Sequence, residues 1–225
     1  MTKLTVITHV YNSQAGIDEQ VARWKSYSAH VLQQVEFIVI DDCSSPPLTI
    51  DKELLNLRLF RVLDDIDWNM PGCRNLAAIQ SQSDWLLYFD VDNIITAEQM
   101  EMIVLALGGL DKKTLYCFKR IYNEVEVEPH INTYLISRSG FFAVGGYDED
   151  FSGHYGFEDV IFRNMWRKYV GGDVLFTNIA FNQLNHRTND LNRDTTRNHE
   201  LAQKKLIDGL LKVKNILRFH YCEIE

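Results

Sequence analysis

Two aspartates, Asp90 and Asp92, stand one residue apart directly after an uninterrupted apolar run from Trp85 to Phe89. A run of this length, rich in aromatic residues and bounded by polar ones, predicts a strand that is buried on both faces. In open α/β sheets, ligands bind at the carboxyl ends of the strands, where these carboxylates would lie. Paired carboxylates there suit a hard divalent cation such as Mg²⁺ or Mn²⁺. The alternative is an aspartate-rich turn that only ends a strand.

A second acidic pair and an arginine stand at the ends of other predicted elements. The run from Glu36 to Ile40 predicts a strand that ends in Asp41 and Asp42. Arg74 falls in the first turn of a helix that should begin near residue 71, because the proline there is well tolerated in a first turn. Free backbone N–H groups at a helix start favour anions, which makes Arg74 a candidate phosphate clamp. The alternative is an exposed arginine without a ligand.

A third acidic pair, Glu158 and Asp159, follows a glycine-containing approach over 153–156 and precedes a helical pattern. Acids are common in the first turn of a helix because they interact favourably with its dipole, which is the simple explanation. A glycine-rich backbone followed by acids is also typical of a chain that wraps closely around a ligand. Further on, His186 in a polar loop is a metal ligand, a general acid or base, or a surface histidine.

The elements that must position these groups alternate in the first half of the chain. Predicted strands cover 4–11, 36–42, 57–63 and 85–89, and predicted helices cover about 16–32, the segment after 71, and the segment between a capping box at 96–99 and a stop at 108–109. Strands that alternate with helices predict a mostly parallel sheet with right-handed crossovers.

The second half of the chain is less regular. Segments 114–119, 133–137 and 174–176 have strand patterns, and the alternation over 124–128 indicates either an exposed edge strand or a loop. A helix is predicted from Thr196 onwards, with an apolar stripe made of Leu206, Leu210, Val213 and Leu217. Lysines interrupt this stripe, which favours a packed C-terminal helix over a membrane anchor.

Composition limits the class of protein. The 225 residues fit one large domain, and 46% hydrophobic residues can fill a sizeable core. The net charge of −8 argues against a general nucleic-acid or membrane-surface binder. No apolar run approaches the ~18–20 residues needed to span a bilayer, and the chain enters a strand pattern directly, so no signal peptide is expected. Four scattered cysteines predict reduced thiols in the cytoplasm.

Six motifs, in this order and at this spacing, resemble family-2 type glycosyltransferases with the GT-A fold. They are Val10-Tyr11-Asn12-Ser13, Val39-Ile40-Asp41-Asp42-Cys43-Ser44, Gly72-Cys73-Arg74-Asn75-Leu76-Ala77, Tyr88-Phe89-Asp90-Val91-Asp92-Asn93, Gly145-Gly146-Tyr147-Asp148 and Gly156-Phe157-Glu158-Asp159. The resemblance spans roughly residues 3–190. It implies a single α/β domain over 1–225, with a Rossmann-like nucleotide-binding half over about 1–95, an acceptor and catalytic half over about 96–195, and a C-terminal helix over about 196–225.

The resemblance also implies roles for the residues that would bind the nucleotide. Asp42 would accept a hydrogen bond from the nucleobase, in a pocket whose wall is formed by Val10 and Tyr11. Arg74 would lie near the base and the diphosphate, and Asp90 would lie nearer the ribose.

For the metal and the chemistry, the resemblance implies that Asp92 binds Mn²⁺ or Mg²⁺ directly and that His186 completes the coordination, as a downstream histidine does in some relatives. Asp159 would be the catalytic base, and Glu158 its neighbour that holds acceptor or donor hydroxyls. Asn93 stands where many members carry aspartate, and because it brings no charge it is not counted as a ligand.

The implied reaction is the transfer of a sugar from a nucleotide-sugar donor, a UDP-sugar by default, to a glycan or other hydroxyl acceptor. A divalent ion and an arginine would neutralise the leaving diphosphate, and one base would take the acceptor proton in a single, inverting displacement. Two other classes stay open. One is an inactive relative that binds nucleotide or glycan, and the other is a nucleotidyltransferase of similar α/β architecture, which the lack of a glycine-rich phosphate loop near the N-terminus disfavours.

Overall fold

A computed structural model describes residues 2–184 and 192–225 of the chain. The strands in these residues are β1 (Leu4–Val10), β2 (Val35–Asp41), β3 (Leu57–Val62), β4 (Trp85–Tyr88), β5 (Asn93–Ile94), β6 (Leu115–Tyr122), β7 (Val125–Val127), β8 (Tyr134–Ser137), β9 (Asp173–Gln183) and β10 (Tyr221–Ile224). The helices are α1 (Gln14–Lys25), α2 (Ala29–Leu32), α3 (Met70–Gln80), α4 (Ala97–Ala106), α5 (Arg138–Val144), α6 (Glu158–Tyr169) and α7 (Thr196–Ile207), with 3₁₀ turns at Leu107–Gly109 and Glu149–Phe151.

These strands form one sheet in the order β10-β3-β2-β1-β4-β8-β6-β9-β5, and β7 pairs with β6. The four strands β3, β2, β1 and β4 run parallel, as predicted for the first half of the chain. Their carboxyl ends therefore meet at one edge of the sheet. The second half is mixed, because β8 runs antiparallel to both β4 and β6 while β9 runs parallel to β6.

The core consists of two apolar clusters, and successive residues of the central strands alternate between them. In β2, Phe37 and Val39 belong to one cluster, while Ile38 and Ile40 belong to the other. Since successive side chains of a strand point to opposite faces of the sheet, the two clusters cover its two faces. Both faces are buried, which explains why the predicted strands read as uninterrupted apolar runs.

Two helix predictions are wrong in extent. The helix predicted over about 16–32 is two helices, because the chain leaves the helical path after Lys25 and the Ser28 side chain caps α2. The helix predicted over about 196–225 ends at Ile207, where Gly209 follows in the left-handed conformation (φ +82°) that ends many helices. Residues 208–220 contain no helix. The chain then ends in the edge strand β10, which pairs antiparallel with β3.

The capping box predicted before the third helical segment is confirmed. Thr96 and Gln99 form the predicted capping box at the start of α4. The alternating segment over 124–128 contains an edge strand, β7, rather than only a loop. All four cysteines are free. Within the described ranges, no helix combines the length and apolar character needed to cross a membrane.

Candidate active site

A cavity of about 440 Å³ opens at the edge of the sheet where the parallel strands end. Six of the nine residues that the sequence predicts for the site line it, namely Val10, Tyr11, Asp42, Asp90, Asp92 and Glu158. Its volume falls within the range of ligand-binding clefts in proteins, about 300–1,000 Å³. The cavity therefore brings together groups from β1, β2, the turn after β4 and the start of α6.

Asp42 lies where β2 leaves the sheet, next to the end of β1. Its backbone N–H donates to the Val10 carbonyl at 2.9 Å, which extends the pairing of the two strands by one residue. Its carboxylate is almost fully buried, and burial raises its pKa to about 7, although hydrogen bonds from Cys73 and Asn69 act in the opposite direction. Half-buried Tyr11 lies on the same cavity wall. A buried carboxylate with this surrounding is an acceptor for an N–H group of a ligand.

The neighbouring Asp41 has a structural role instead. Its carboxylate pairs with Arg61 and accepts hydrogen bonds from the backbone N–H groups of Ser44 (2.8 Å) and Leu48 (3.1 Å). It does not line the cavity. The second acidic pair thus divides into one residue that holds the loop after β2 and one that faces the cavity.

Arg74 is the fifth residue of α3 and so lies in its second turn rather than in the first turn as predicted, and its side chain is buried rather than exposed. Its guanidinium donates to Asp90 Oδ1 at 3.1 Å, to the Tyr147 hydroxyl at 2.9 Å and to the Asn132 carbonyl at 3.0 Å. The ring of Tyr88 lies 5.3 Å away and adds a cation–π contact. Arg74 therefore contacts the site through Asp90 and is not among the residues that line the cavity.

Asp90 and Asp92 lie in the turn after β4, in different surroundings. Burial alone would raise the pKa of Asp90, but His130 and Arg74 beside it hold that pKa below its usual value. Burial raises the pKa of Asp92, whose carboxylate accepts a hydrogen bond from Gln183 Nε2 at 2.8 Å. Asp90 is thus the charge-paired carboxylate of the turn, whereas Asp92 forms no ion pair within the described part of the chain.

Buried amide side chains hold this turn in place. Gln20 of α1 donates from Nε2 to the carbonyls of Val91 and Asn93, both at 2.8 Å. The Asn93 side chain is buried and donates to the Asp90 carbonyl, to Asp92 Oδ1 and to Thr133 Oγ1 at 3.3–3.4 Å. The turn is therefore fixed from both sides, and Asn93 organises it without lining the cavity.

A divalent ion at this turn would find one suitable carboxylate, that of Asp92. In the described residues, no three His, Cys, Asp or Glu side chains are grouped as a metal-binding set. Mg²⁺ is commonly bound by one or two carboxylates together with substrate phosphates and water, rather than by an all-protein cage. The residues present therefore fit an ion that is shared with a bound diphosphate, and they do not fit a self-contained metal centre.

Glu158 and Asp159 occupy the first turn of α6, as predicted. Glu158 lines the cavity, and its Oε2 atom is buried with no hydrogen-bond partner among the described residues. Burial and the neighbouring Asp159 raise the pKa of Glu158 to about 7. Burial also raises the pKa of Asp159, whose Oδ1 accepts from the Val160 N–H at 2.6 Å. Asp159 is half-buried beside the cavity rather than among its lining residues.

The backbone that leads into α6 is unusual. Gly153, Gly156 and Phe157 all have positive φ, at +89°, +88° and +72°. For a bulky residue such as Phe157 this conformation costs about 1–3 kcal/mol, and such strain tends to occur at functional sites. The glycine-rich approach thus allows the chain to turn sharply and present the first turn of α6 to the cavity.

His186, the remaining predicted ligand, lies outside the described residues. Conversely, the structure adds cavity residues that the sequence reasoning did not select, including His9, Trp68, His130 and Tyr155. His9 directly precedes Val10 at the end of β1. Ligands bind at the carboxyl ends of parallel strands, so its place at the end of the first predicted strand could have pointed to it. His130 lies in a loop between β7 and β8 that carries no strand or helix period, and no local signal points to it.

The sequence profile of the family Glycosyl transferase family 2 matches residues 5–170. This match spans β1 to α6 and includes every motif that lines the cavity. The chain belongs to glycosyl transferase family 2. A Haemophilus influenzae protein described as an uncharacterized glycosyltransferase is 26% identical over 101 residues, which are 45% of this chain and 33% of that protein. This family 2 chain thus spans about a third of the length of that relative.

Two solved structures share this architecture with the chain. S. aureus TarS 1-349 in complex with UDP-GlcNAc has a TM-score of 0.70 at 16% identity, over 95% of this chain and 68% of that one. Mannosyltransferase PcManGT from Pyrobaculum calidifontis, in complex with GDP-Man and Mn²⁺, has a TM-score of 0.63 at 14% identity, over 83% of this chain and 58% of that one. This family 2 glycosyltransferase domain therefore has the GT-A fold.

Proposed function

We propose that this chain is an active, metal-dependent glycosyltransferase that moves a sugar from a nucleotide-sugar donor onto a hydroxyl group of a glycan or other acceptor, with inversion. The main observation in support of this proposal is that Asp42, the Asp90–Asp92 turn and Glu158 all line the same cavity. The similar structures hold UDP-GlcNAc and GDP-Man, which supports a nucleotide-sugar donor without selecting its base. A UDP-sugar is the default.

The donor nucleotide would bind at the ends of β1 and β2. The Asp42 carboxylate would accept an N–H group of the base, while Val10 and Tyr11 form the wall beside it. Because Asp42 is buried, little water would compete for this hydrogen bond. A base without the N–H group would leave the buried carboxylate unsatisfied, which costs more free energy than at the surface. Asp42 is therefore proposed to select bases that present an N–H donor.

The diphosphate would lie at the turn after β4. Asp92 would hold a Mn²⁺ or Mg²⁺ ion there, together with phosphate oxygens, and His186 is proposed as a further ligand. When bound, the ion supplies positive charge that stabilises the leaving nucleoside diphosphate. Arg74 keeps the Asp90 carboxylate in place by a 3.1 Å ion pair, so Asp90 can face the ribose in a fixed orientation.

The acceptor hydroxyl would be deprotonated at the start of α6. Asp159 is proposed as the base that takes this proton onto a carboxylate oxygen as the acceptor oxygen attacks the anomeric carbon. The bond from that carbon to the diphosphate breaks on the opposite side, so one displacement inverts the configuration. Glu158, with its free oxygen at the cavity, would hold sugar hydroxyls.

The released product separates this proposal from its alternatives. A transferase or a donor hydrolase releases nucleoside diphosphate, a nucleotidyltransferase releases inorganic diphosphate, and an inactive relative releases neither. Asp92 and Asp159 are both present, which favours turnover over an inactive relative.

The first experiment is a thermal-shift panel of nucleotide sugars and nucleoside diphosphates, with and without Mn²⁺. A ligand at about a hundred times its dissociation constant should add roughly 2.7 kcal/mol of stability. Asp92→Ala should remove the Mn²⁺-dependent part of this stabilisation. A matched control is Asp84→Ala, which changes an exposed aspartate just before the same strand and should leave the stabilisation intact. Unchanged Mn²⁺ dependence in Asp92→Ala would show that the ion binds elsewhere.

A further inference from the structure

An aromatic pair forms part of the cavity wall, and neither the predicted donor site nor the predicted base uses it. Trp68 and Tyr155 both line the cavity, with ring centroids 4.5 Å apart and planes tilted by 55°. Trp68 lies in the loop between β3 and α3, while Tyr155 precedes Glu158 by three residues. The pair therefore adjoins the start of α6, where the acceptor hydroxyl is proposed to react.

The two loops that carry these rings are joined to each other. The Gly153 N–H donates to the Asp67 carbonyl at 2.7 Å, and Ser152 Oγ donates to Asn69 Oδ1 at 3.1 Å. Trp68 Nε1 also donates to the Asn192 carbonyl at 2.8 Å. The indole is thus held in one orientation by its own N–H group and by the backbone on either side.

The backbone of Trp68 is held in a conformation that tryptophan rarely adopts. Its φ is +51°, in the left-handed region, and its side chain is only half-buried. The other three tryptophans of the chain, Trp24, Trp85 and Trp166, are buried in the core. Packing in the core therefore does not explain the position of Trp68, and a strained residue at a cavity suggests a role in binding.

The carboxylates beside the indole suit a neutral, hydroxylated ligand better than an anionic one, while the Arg193 guanidinium lines the cavity on the side of Tyr155. The Asp67 carboxylate is exposed beside it, and the Glu158 carboxylate with its unpartnered oxygen lies on the same cavity wall. Carboxylates repel phosphate and accept hydrogen bonds from hydroxyl groups. A pyranose ring presents C–H groups on its face and hydroxyls at its edge, which matches an aromatic surface flanked by carboxylates.

We propose that Trp68, supported by Tyr155, is the platform on which a sugar ring of the acceptor stacks. The acceptor is then a glycan or glycoconjugate rather than a hydroxyl on a protein side chain or a simple lipid alcohol. This inference rests on the proposed function, and it names the class of acceptor that the same site takes. Arg193 lies with its guanidinium 5.8 Å from the centre of the Tyr155 ring, which supports Tyr155 from another side.

The test uses simple glycosides as probes on the whole chain, loaded with UDP or GDP and Mn²⁺. The probes are the methyl glycosides of glucose, galactose, mannose and N-acetylglucosamine. At least one should bind with a dissociation constant on the order of 1–10 mM, as expected for so small a ligand. Binding should change the tryptophan emission and give saturation-transfer signals from the ring protons of the probe. The emission change should be lost in Trp68→Phe, because the other tryptophans are buried.

Variants then separate an acceptor platform from a nucleobase platform. Trp68→Ala should weaken glycoside binding about tenfold and leave the affinity for nucleoside diphosphate near that of the wild type, which also reports that the variant is folded. Tyr155→Ala should act in the same direction, and Tyr155→Phe should keep most of the affinity. Phe142→Ala removes a partly exposed aromatic residue outside the cavity lining and should change neither ligand.

Two outcomes would overturn the inference. One is a wild-type protein that binds nucleotide but none of the four glycosides. The other is a Trp68→Ala variant that loses nucleotide affinity instead of glycoside affinity, which would place the base on the indole. Failure of the wild type to bind any nucleotide would instead refute the proposed function, so the two failures are distinguishable.

Discussion

At the scale of single residues, neighbouring carboxylates of this chain have different chemistry because they meet different partners. Asp41 is neutralised by Arg61, whereas Asp42 has no cation and is buried beside amide and thiol groups. In the same way, Arg74 pairs with Asp90, while Asp92 forms no ion pair with any of the described residues. Asp42 and Asp92, which form no ion pair among the described residues, both line the cavity beside the paired Asp90. Ionisable groups in such different surroundings are typical of a functional site.

The raised pKa of Asp42 predicts a pH-dependent cost in stability. The folded state holds this proton up to about pH 7, and the unfolded state releases it near pH 4. The folded state therefore binds more protons in that window, and the free energy of unfolding falls as pH rises through it. Asp42→Asn should stabilise the protein, and its gain should grow by roughly 1–3 kcal/mol between about pH 5 and about pH 8. Urea unfolding at the two pH values measures the change.

Asp41→Asn is the matched control for this prediction. It removes the carboxylate that pairs with Arg61, so it should destabilise the protein at both pH values. Equal stability of Asp42→Asn and wild type at the higher pH would show that Asp42 is not a strained, cation-free carboxylate.

The burial of Arg74 predicts a mainly structural cost when it is replaced. Arg74→Met removes the buried guanidinium that pairs with Asp90 and leaves the His130 ring, 3.5 Å away, beside that carboxylate. It should lower the free energy of unfolding by about 3–5 kcal/mol. Arg74→Lys keeps the charge but loses the planar fork, so its loss should be smaller. Denaturant unfolding compares the two. A fully stable Arg74→Met that fails to bind bare diphosphate would instead make Arg74 a direct phosphate clamp.

At the scale of elements, the site depends on α1 as well as on the strands. Gln20 reaches from α1 to two carbonyls of the turn that carries Asp92. The space beside it is tight, because a Cβ atom at Gly16 would lie 3.3 Å from Val91. The turn is thereby held against α1, and its geometry does not rest on the strand alone.

Gln20→Met keeps the size of the side chain and leaves two buried carbonyls without their donor. It should cost about 1–3 kcal/mol in stability and should also weaken Mn²⁺-dependent nucleotide binding, because the Asp92 turn loosens. Calorimetry with nucleoside diphosphate and Mn²⁺ measures the second effect. Gln14→Met is the control on the same helix, since its partners are Asp18 and Thr49 rather than the turn. A stability loss with unchanged metal-dependent binding would make the Gln20 bonds structural only.

At the scale of the whole molecule, the parallel half could be predicted because its signals are local. Apolar runs ending in acids specify β2 and β4, and a proline near the start and a capping box specify α3 and α4. The order of the second half could not be predicted, because β8 lies between β4 and β6 through pairings between residues distant in sequence. The apolar stripe of the C-terminal segment predicted a helix that is too long, because Leu217 packs against the core from a part of the chain that is not helical.

The same contrast between local signals and contacts between distant residues applies to the site. Asp42, Asp90 and Asp92 could be placed at one edge because parallel strands end together. The contact of His130 with Asp90 and the aromatic pair of Trp68 and Tyr155 depend on loops that meet only in the folded chain. The burial of Arg74 is also a tertiary property, which its position near the start of a helix does not encode.

The most direct test of the account is the transfer rate of Asp159→Asn, with Glu158→Gln as the neighbouring control. Asp159→Asn keeps the shape of the side chain and removes the base, so transfer should fall by about 10²–10⁴-fold. Calorimetry with nucleoside diphosphate and Mn²⁺ should give the wild-type affinity, because the base acts on the acceptor. Glu158→Gln should cost less in rate. Near-normal transfer by Asp159→Asn, with a large loss in Glu158→Gln, would contradict the account and move the base to the carboxylate that lines the cavity.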